Sequence, residues 1–273
     1  MRGSDRHGLP VLGFLCTLAV GGATALVAEA AQRTPENVEA APSSDALVFV
    51  GSGRLGSWET QFAVSNGGSS ELGVLLGVSM DFPGGCPVTG CPGYQVMNLA
   101  PNASGETATP GVGSLDAIYV RSAEGDALPL VSARTVNSAP AGQAADVPGF
   151  RLSTLLTMDL AVLAFPGARA GASRSNLVLT NLLSFEPTPI RGGEIEVRIE
   201  AFDPSGALLG STTQQISVGA TVLIQNVYAT LGGSSVGIGQ IRATRVAGDR
   251  AFWGVLYTFD ENGAVSAAVP QNP

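Results

Sequence analysis

The sequence contains no lysine and a single histidine, His7, so all 14 of its basic residues are arginine. If the first residues are removed, the rest of the chain has no imidazole and no side-chain amine. That absence excludes Ser-His-Asp and Cys-His catalysis, histidine-based zinc sites and Schiff-base chemistry. An enzyme would have to use carboxylates, hydroxyls, tyrosine or arginine. We predict that the protein is not an enzyme and holds no cofactor or metal.

Positive charge is also scarce. The chain carries 22 acidic residues against 14 basic ones, a net charge of −8 at pH 7. Nucleic acids are bound by basic patches, and the arginines do not cluster in the sequence. We therefore expect no nucleic-acid partner, and the partner that remains is an unidentified protein or glycan.

The N-terminus has the layout of an export signal. Arg2 and Arg6 precede an apolar segment, residues 11–27, which is followed by the small-residue triplet Ala28-Glu29-Ala30. This order predicts a secretory signal peptide over residues 1–30, and the alternative is an uncleaved membrane anchor. After cleavage we expect no stable membrane insertion and an exported location, either periplasmic or extracellular.

The rest of the chain contains a weak internal repeat. Residues 49–66 can be laid on residues 165–181 with one gap, and residues 124–133 on residues 247–257. The first alignment pairs Phe49 with Phe165, Gly51 with Gly167, Phe62 with Leu177, Val64 with Leu179, and Asn66 with Asn181. A repeat of this length is the size of an immunoglobulin-like domain. We predict a flexible leader (31–45), a first β-sandwich (46–148), a linker (149–160) and a second β-sandwich (161–273).

The repeated segments have the period of two that is typical of strands. In residues 194–201, charged residues alternate with apolar ones, and residues 58–64 alternate in the same way. Asp203–Gly206 and Glu261–Gly263 are turn signals, and a helical turn is expected only near residues 226–233. The prediction is an all-β protein with two tandem antiparallel sandwiches.

The second repeat carries a resemblance to a known class of module. Its run "SNLVLTN … IEVRIEAFDPSGALLGSTTQQISV", followed by "VYATLG" and "FWGVLYTFDENGAV", resembles immunoglobulin-like and fibronectin-like β-sandwich modules of bacterial exported and cell-surface proteins. The resemblance implies a fold and a surface-module role. It transfers no functional residue.

A cysteine-containing loop, "DFPGGCPVTGCPGY", interrupts the first repeat. Two thiols without histidine make a poor metal site, and the spacing of Cys86 and Cys91 does not match a redox pair. Because exported proteins keep disulfides, we predict a Cys86–Cys91 disulfide. The stapled loop either braces a long connection or presents Val88, Thr89 and Tyr94 as a binding element.

Three other groups of residues offer weaker hypotheses. The aromatic residues Trp58, Trp253, Tyr257 and Phe259 suit either core packing or sugar stacking. Glu194 and Glu196 suit either a charge ladder that includes Arg198 or a carboxylate pair of a hydrolase. Asp203 and residues 260–262 suit either turns or an incomplete calcium site.

The function predicted from the sequence is a non-enzymatic exported module, structural, adhesive or binding, that acts at or outside the cell surface. The alternative is a carbohydrate-binding protein, which requires exposed aromatic side chains. A carboxylate-based hydrolase is the third hypothesis, and it requires two acids that converge in a cleft.

Overall fold

A computed structural model describes residues 45–78, 94–109, 115–123, 128–139, 143–158, 160–182, 193–234, 237–262 and 264–271. The predicted signal peptide, residues 31–44 of the predicted leader, and the cysteine-containing loop up to residue 93 lie outside these ranges. No helix among the described residues is both long and apolar enough to cross a membrane.

The fold is all-β and antiparallel, as predicted. The strands are β1 Leu47–Leu55, β2 Trp58–Ser65, β3 Leu72–Gly77, β4 Tyr94–Leu99, β5 Ser104–Ala108, β6 Leu115–Ser122, β7 Leu130–Asn137, β8 Ala144–Val147, β9 Gly149–Arg151, β10 Val162–Ala168, β11 Arg174–Asn181, β12 Ile195–Phe202, β13 Leu208–Ile216, β14 Thr221–Ile224, β15 Gly239–Ala247, β16 Phe252–Phe259 and β17 Val265–Ala268.

The N-terminal half (residues 45–151) has two layers of strands that β1 joins. Sheet I has the order β4-β3-β6-β1, with β9 added on β1, and sheet II has the order β5-β2-β7-β8. Because β1 also pairs with β2 at its far end, the two layers form one nine-stranded hydrogen-bonded set. Their facing side chains form a core that includes Phe49, Phe62 and Ile118.

The C-terminal half (residues 162–271) repeats this strand order. Sheet III has the order β13-β12-β15-β10, and sheet IV has the order β14-β11-β16-β17. Each strand of the N-terminal half from β1 to β8 thus has a counterpart from β10 to β17 with the same neighbours, except that the pairings of β1 with β2 and β9 have no counterpart. The register agrees as well, since Val64 pairs with Val131 in one half and Leu179 with Gly254 in the other. The sequence alignment equates Val64 with Leu179 and Val131 with Gly254, so the two pairs are equivalent.

Two of the aligned residue pairs have the same structural role in both halves. Gly51 and Gly167 have φ values of 77° and 86°, and each lies at a register shift of its strand. A positive φ strains residues other than glycine, which explains the shared residue type. Asn66 and Asn181 are buried, and each donates a hydrogen bond from Nδ2 to the last carbonyl of the counterpart strands β4 and β13.

The alternation predicted for the strands is confirmed. In β12, Ile195, Val197 and Ile199 are buried, while the charged residues between them are half-buried or exposed. In β2, Thr60, Phe62 and Val64 are fully buried. β16 lies between β11 and β17 and is apolar on both faces.

The predicted linker contains regular structure. Gly149–Arg151 pairs with β1, and Leu152–Thr157 forms a short helix that buries Leu152 and Leu155. Asp45, at the end of the predicted leader, is buried and accepts hydrogen bonds from the Ser153 backbone N–H and hydroxyl. It therefore caps the helix from a distant part of the sequence. A second helix, Val227–Thr230, lies where a helical turn was expected.

The two halves share a hydrophobic core. Val48, Val50, Ala117 and Tyr119, on the outer face of sheet I, belong to the same buried cluster as the residues of sheets III and IV. Contacts cross this interface between Phe150 and Trp253, whose rings lie 4.9 Å apart, and between Gly51 and Tyr257. Sheet IV is therefore covered by sheet III on one face and by sheet I on the other.

Sheet III has an outer face that corresponds to the outer face of sheet I, and it is the more polar of the two. The shared register places Ala164, Pro166, Gln240 and Arg242 at the positions equivalent to Val48, Val50, Ala117 and Tyr119. The Arg242 guanidinium lies 4.6 Å from the centre of the Phe202 ring. The equivalent faces of the two halves thus differ in polarity, and only that of sheet I contributes to the shared core.

The β12–β13 hairpin is fixed by the side chain of Asp203. Its Oδ1 accepts hydrogen bonds from the Ser205 hydroxyl and from the Ser205 and Ala207 N–H groups. The hydrogen bond from the Ser205 hydroxyl is the largest of the effects that lower the pKa of Asp203 below its usual value. This confirms the turn predicted at residues 203–206.

We expect Ser205→Ala to raise the pKa of Asp203 toward the usual value of a carboxyl, because the strongest donor to its charged form is lost. Carbon-detected NMR titration of the Asp203 carboxyl measures the change. Ser211→Ala, at an exposed position on β13, serves as the control and leaves this pKa where it is. An unchanged pKa in the Ser205 variant would contradict the role given to this hydroxyl.

Candidate functional site

A groove lies where the two halves meet. Its cavity has a volume of about 480 Å³, which is within the range of small-molecule sites. The walls come from the β1–β2 hairpin and β6 on one side and from β11, β14 and β16 on the other. We call this the interface groove, and the residues that define it here are Trp58, Leu115, Arg174, Asn176, Leu223, Gln225, Asn226 and Phe259.

Two aromatic rings line the groove and contact each other. Trp58 begins β2, and Phe259 ends β16 in the other half. Their ring centres are 5.8 Å apart and their planes meet at 82°, an edge-to-face contact. Both side chains are only half-buried, so each ring keeps surface toward the cavity.

A smaller cavity of about 310 Å³ adjoins the first. Trp58, Arg174 and Phe259 line both cavities, and the second adds Asn137, Gln143, Asp260 and Glu261. Gln143 donates a hydrogen bond of 3.3 Å to the Asn262 carbonyl across the interface. The two cavities therefore lie side by side at the boundary between the halves.

Arg174 is the basic residue that lines both cavities. It begins β11, and its guanidinium carbon lies 4.9 Å from the centre of the Phe259 ring, which is a cation–π distance. In the described part of the chain, no carboxylate lies within 4.0 Å of its nitrogen atoms. The charge of Arg174 is thus offset by an aromatic face and by solvent.

Amide side chains supply the hydrogen-bonding groups of the groove. Asn176 Oδ1 accepts a hydrogen bond from the Asn226 N–H at 2.9 Å. Asn226 has a positive φ of 48°, and its Oδ1 is buried without a partner among the described residues. Gln225, beside it, is exposed. The floor of the groove therefore offers polar atoms close to the two aromatic rings.

Tyr257 closes the inner end of the groove. Its side chain is buried, and its hydroxyl lies 3.5 Å from the Gly51 carbonyl oxygen. Burial raises the pKa of this tyrosine well above its usual value, so it stays protonated and neutral. A Cβ atom at Gly51 would lie 3.0 Å from the Tyr257 ring. The absence of a side chain at Gly51 therefore allows the two halves to approach closely here.

The aromatic residues selected from the sequence separate into two pairs. Trp253 and Tyr257 are buried in the interface, which confirms core packing for both. Trp58 and Phe259 are half-buried and line the groove. The four residues therefore do not form one exposed flat platform. The pairing of Trp58 with Phe259 was not predicted, because the two belong to different halves.

The other residues selected from the sequence lie elsewhere. Cys86, Cys91, Val88 and Thr89 fall outside the described residues, as does the side chain of Tyr94 at the start of β4. Glu196 and Arg198 are on the outer face of sheet III, where Arg198 pairs with Glu200 at 3.5 Å. Among the described residues, no group of three metal-ligating side chains is brought together.

The acidic residues of the second cavity are held in a turn. Asp260 Oδ1 accepts hydrogen bonds from the N–H groups of Asn262 and Ala264, at 2.9 and 2.7 Å. Glu261 follows it and is exposed. These two carboxylates give the rim of the smaller cavity a negative charge, opposite to that of Arg174.

Comparison with known proteins gives no further identification. No family model matches this chain, and no curated protein is significantly similar to it.

Proposed function

We propose that the protein is a non-enzymatic exported binding module that acts at or outside the cell surface. The proposal combines the predicted signal peptide with two sandwich units in tandem that present one groove. Its main support is the interface groove itself, where Trp58, Arg174 and Phe259 converge from two halves. Binding sites commonly lie between domains, in recesses with apolar walls and a few polar groups.

We also propose that both units are variants of the immunoglobulin-like or fibronectin-like sandwich. The pairing of the second strand with the fifth, and of the third with the sixth, is the pairing of that fold. In this chain the first strand lies beside the sixth and the seventh beside the second. The immunoglobulin order has these two strands in exchanged positions. We therefore propose that each unit is an immunoglobulin-like or fibronectin-like sandwich with these two strands exchanged.

Carbohydrate is the class of ligand that we favour for the groove. A half-buried tryptophan beside several amide side chains suits a sugar ring, whose faces are apolar and whose edge carries hydroxyl groups. The amides of Asn176 and Gln225 can both donate and accept hydrogen bonds, which hydroxyl groups require. Trp253 is excluded from such a role by its burial, and Trp58 takes its place.

Tryptophan fluorescence can test this function, since the chain has only two tryptophans. We expect at least one member of a panel of maltotriose, cellotriose, xylotriose and trigalacturonate to change the emission of the purified protein. Trp58→Ala is expected to weaken that binding at least about tenfold, measured by calorimetry, because truncation of an aromatic anchor removes its stacking surface.

Leu208→Ala is the matched control for this test, because Leu208 is an exposed apolar residue outside the groove. It is expected to bind as tightly as the unchanged protein. Two results would contradict the proposed function: no binding to any of the four sugars, or binding that Trp58→Ala leaves intact while the variant keeps its fold by circular dichroism.

A further inference from the structure

The interface groove contains an arginine, Arg174, for which the described residues supply no carboxylate partner. Arg54, Arg134 and Arg198 each lie within 4.0 Å of a carboxylate, those of Glu59, Asp146 and Glu200 respectively. Among the described residues, no carboxylate lies within that distance of Arg174, which lines both cavities. A guanidinium placed in this way can form two parallel hydrogen bonds with an incoming planar anion.

The charges beside Arg174 favour a carboxylate over a phosphate as the group that it binds. Arg174 is the one basic side chain that lines either of the two cavities as described, and Asp260 and Glu261 line the smaller one. A phosphate group would bring up to two negative charges close to these carboxylates, where like charges repel. A carboxylate brings one negative charge, so Asp260 and Glu261 repel it less than they repel a phosphate, and it can still pair with Arg174.

The surroundings of Arg174 define the rest of the ligand. Its guanidinium packs on Phe259, so a carboxylate bound to it would lie beside the edge-to-face pair of Phe259 and Trp58. Amide groups of Asn176 and Gln225 line the larger cavity, and those of Asn137 and Gln143 line the smaller one. The groove thus combines one cation, an apolar ring surface and hydrogen-bonding groups on both sides.

We infer that the interface groove binds an acidic oligosaccharide, with Arg174 pairing to a sugar carboxylate and Trp58 contacting the sugar ring. This inference rests on the proposed function and makes the ligand class specific. It follows from the juxtaposition of two aromatic rings, amide side chains contributed by both halves, and an arginine that has no carboxylate partner among the described residues. Each half alone supplies only part of the site.

Calorimetric titration with three probes tests the inference: trigalacturonate, its fully methyl-esterified form and neutral maltotriose. We expect trigalacturonate to bind about tenfold to a hundredfold more tightly than the ester, because a charge-assisted hydrogen-bonded pair is lost with the charge. Arg174→Gln is expected to bring the affinity for trigalacturonate down to that for the ester. Added salt should weaken binding of the acid and leave binding of the ester nearly unchanged.

Arg169→Gln is the matched control, since Arg169 is an exposed arginine close in sequence that does not line the groove. It removes the same charge from the protein and should leave trigalacturonate binding unaltered. Thermal unfolding of both variants checks that the fold is kept.

The possible outcomes separate the inference from the proposed function. If the acid and its ester bind equally well and both depend on Trp58, the inference is wrong and the proposed function stands. If only maltotriose binds, the same conclusion follows. If Arg174→Gln and Arg169→Gln weaken binding by the same factor, general electrostatics explains the preference and the inference is again wrong. If no probe binds, both are wrong.

Discussion

Replacing Trp253 by alanine is expected to lower the free energy of unfolding by about 3–5 kcal/mol, as for other buried aromatic residues. Trp253 is 5% exposed and packs against Phe150 across the interface between the halves. Truncation would leave a cavity between sheet IV and β9, the strand that carries Phe150. Chemical denaturation monitored by circular dichroism measures the loss.

The internal repeat supplies a matched control for this substitution. Leu130 on β7 occupies the position equivalent to Trp253 on β16, yet it is 67% exposed. Leu130→Ala is expected to change the free energy of unfolding by less than about 0.5 kcal/mol. Trp253→Phe should cost far less than Trp253→Ala, because Nε1 of Trp253 has no partner among the described residues. Equal losses in Trp253→Ala and Leu130→Ala would contradict the shared core.

Replacing Asn66 by aspartate is expected to lower the free energy of unfolding at neutral pH by at least about 3 kcal/mol. The Asn66 side chain is 4% exposed, and its Nδ2 donates to the carbonyls of Ser70, Leu99 and Ala100. A carboxylate would turn a negative oxygen toward these three acceptors. The interaction that holds the end of β4 against β2 would become repulsive.

The loss in Asn66→Asp should depend on pH in a defined direction. Burial and the facing carbonyls would raise the pKa of the introduced carboxyl in the folded state above its unfolded value of about 3.9. The part of the destabilisation that comes from the charge is therefore absent below the unfolded pKa and grows as the pH rises. It is complete above the folded pKa.

Asn98→Asp provides the same change of charge at an exposed position on β4 and should have little effect at any pH. Unfolding curves of both variants between acidic and neutral pH make the comparison. A loss in Asn66→Asp that does not vary with pH would show that the carboxylate charge is not its cause.

Several features of the fold could be predicted from the sequence because they depend on local pattern. Alternating charged and apolar residues placed β12 correctly, and the turn at Asp203 follows from the usual preferences of Asp, Pro and Gly. The alignment paired Gly51 with Gly167, and both have a positive φ in the structure. Such glycines and buried asparagines are constrained by their own backbone surroundings, so a single sequence can reveal them.

The site was not predictable in the same way, because it depends on how the halves pack. Nothing in the sequence near Trp58 shows that Phe259 will contact it, whereas the apolar residues on both faces of β16 did favour a buried Trp253. The helix Leu152–Thr157 was missed for a related reason. Six residues are too few to display a helical period, and Asp45, which caps the helix, is more than a hundred positions away.

The difference in polarity between the equivalent faces of sheets I and III has a consequence for assembly. An interface that joins unlike faces can in principle be repeated indefinitely, and such head-to-tail contacts produce fibres unless one end is blocked. Here the face of sheet III carries Arg242 and Gln240 where sheet I has Tyr119 and Ala117. Another molecule that docked its own sheet II, the counterpart of sheet IV, against this face would have to bury the charge of Arg242, for which the described residues supply no carboxylate. The polar face of sheet III therefore disfavours repetition of this contact from one molecule to the next.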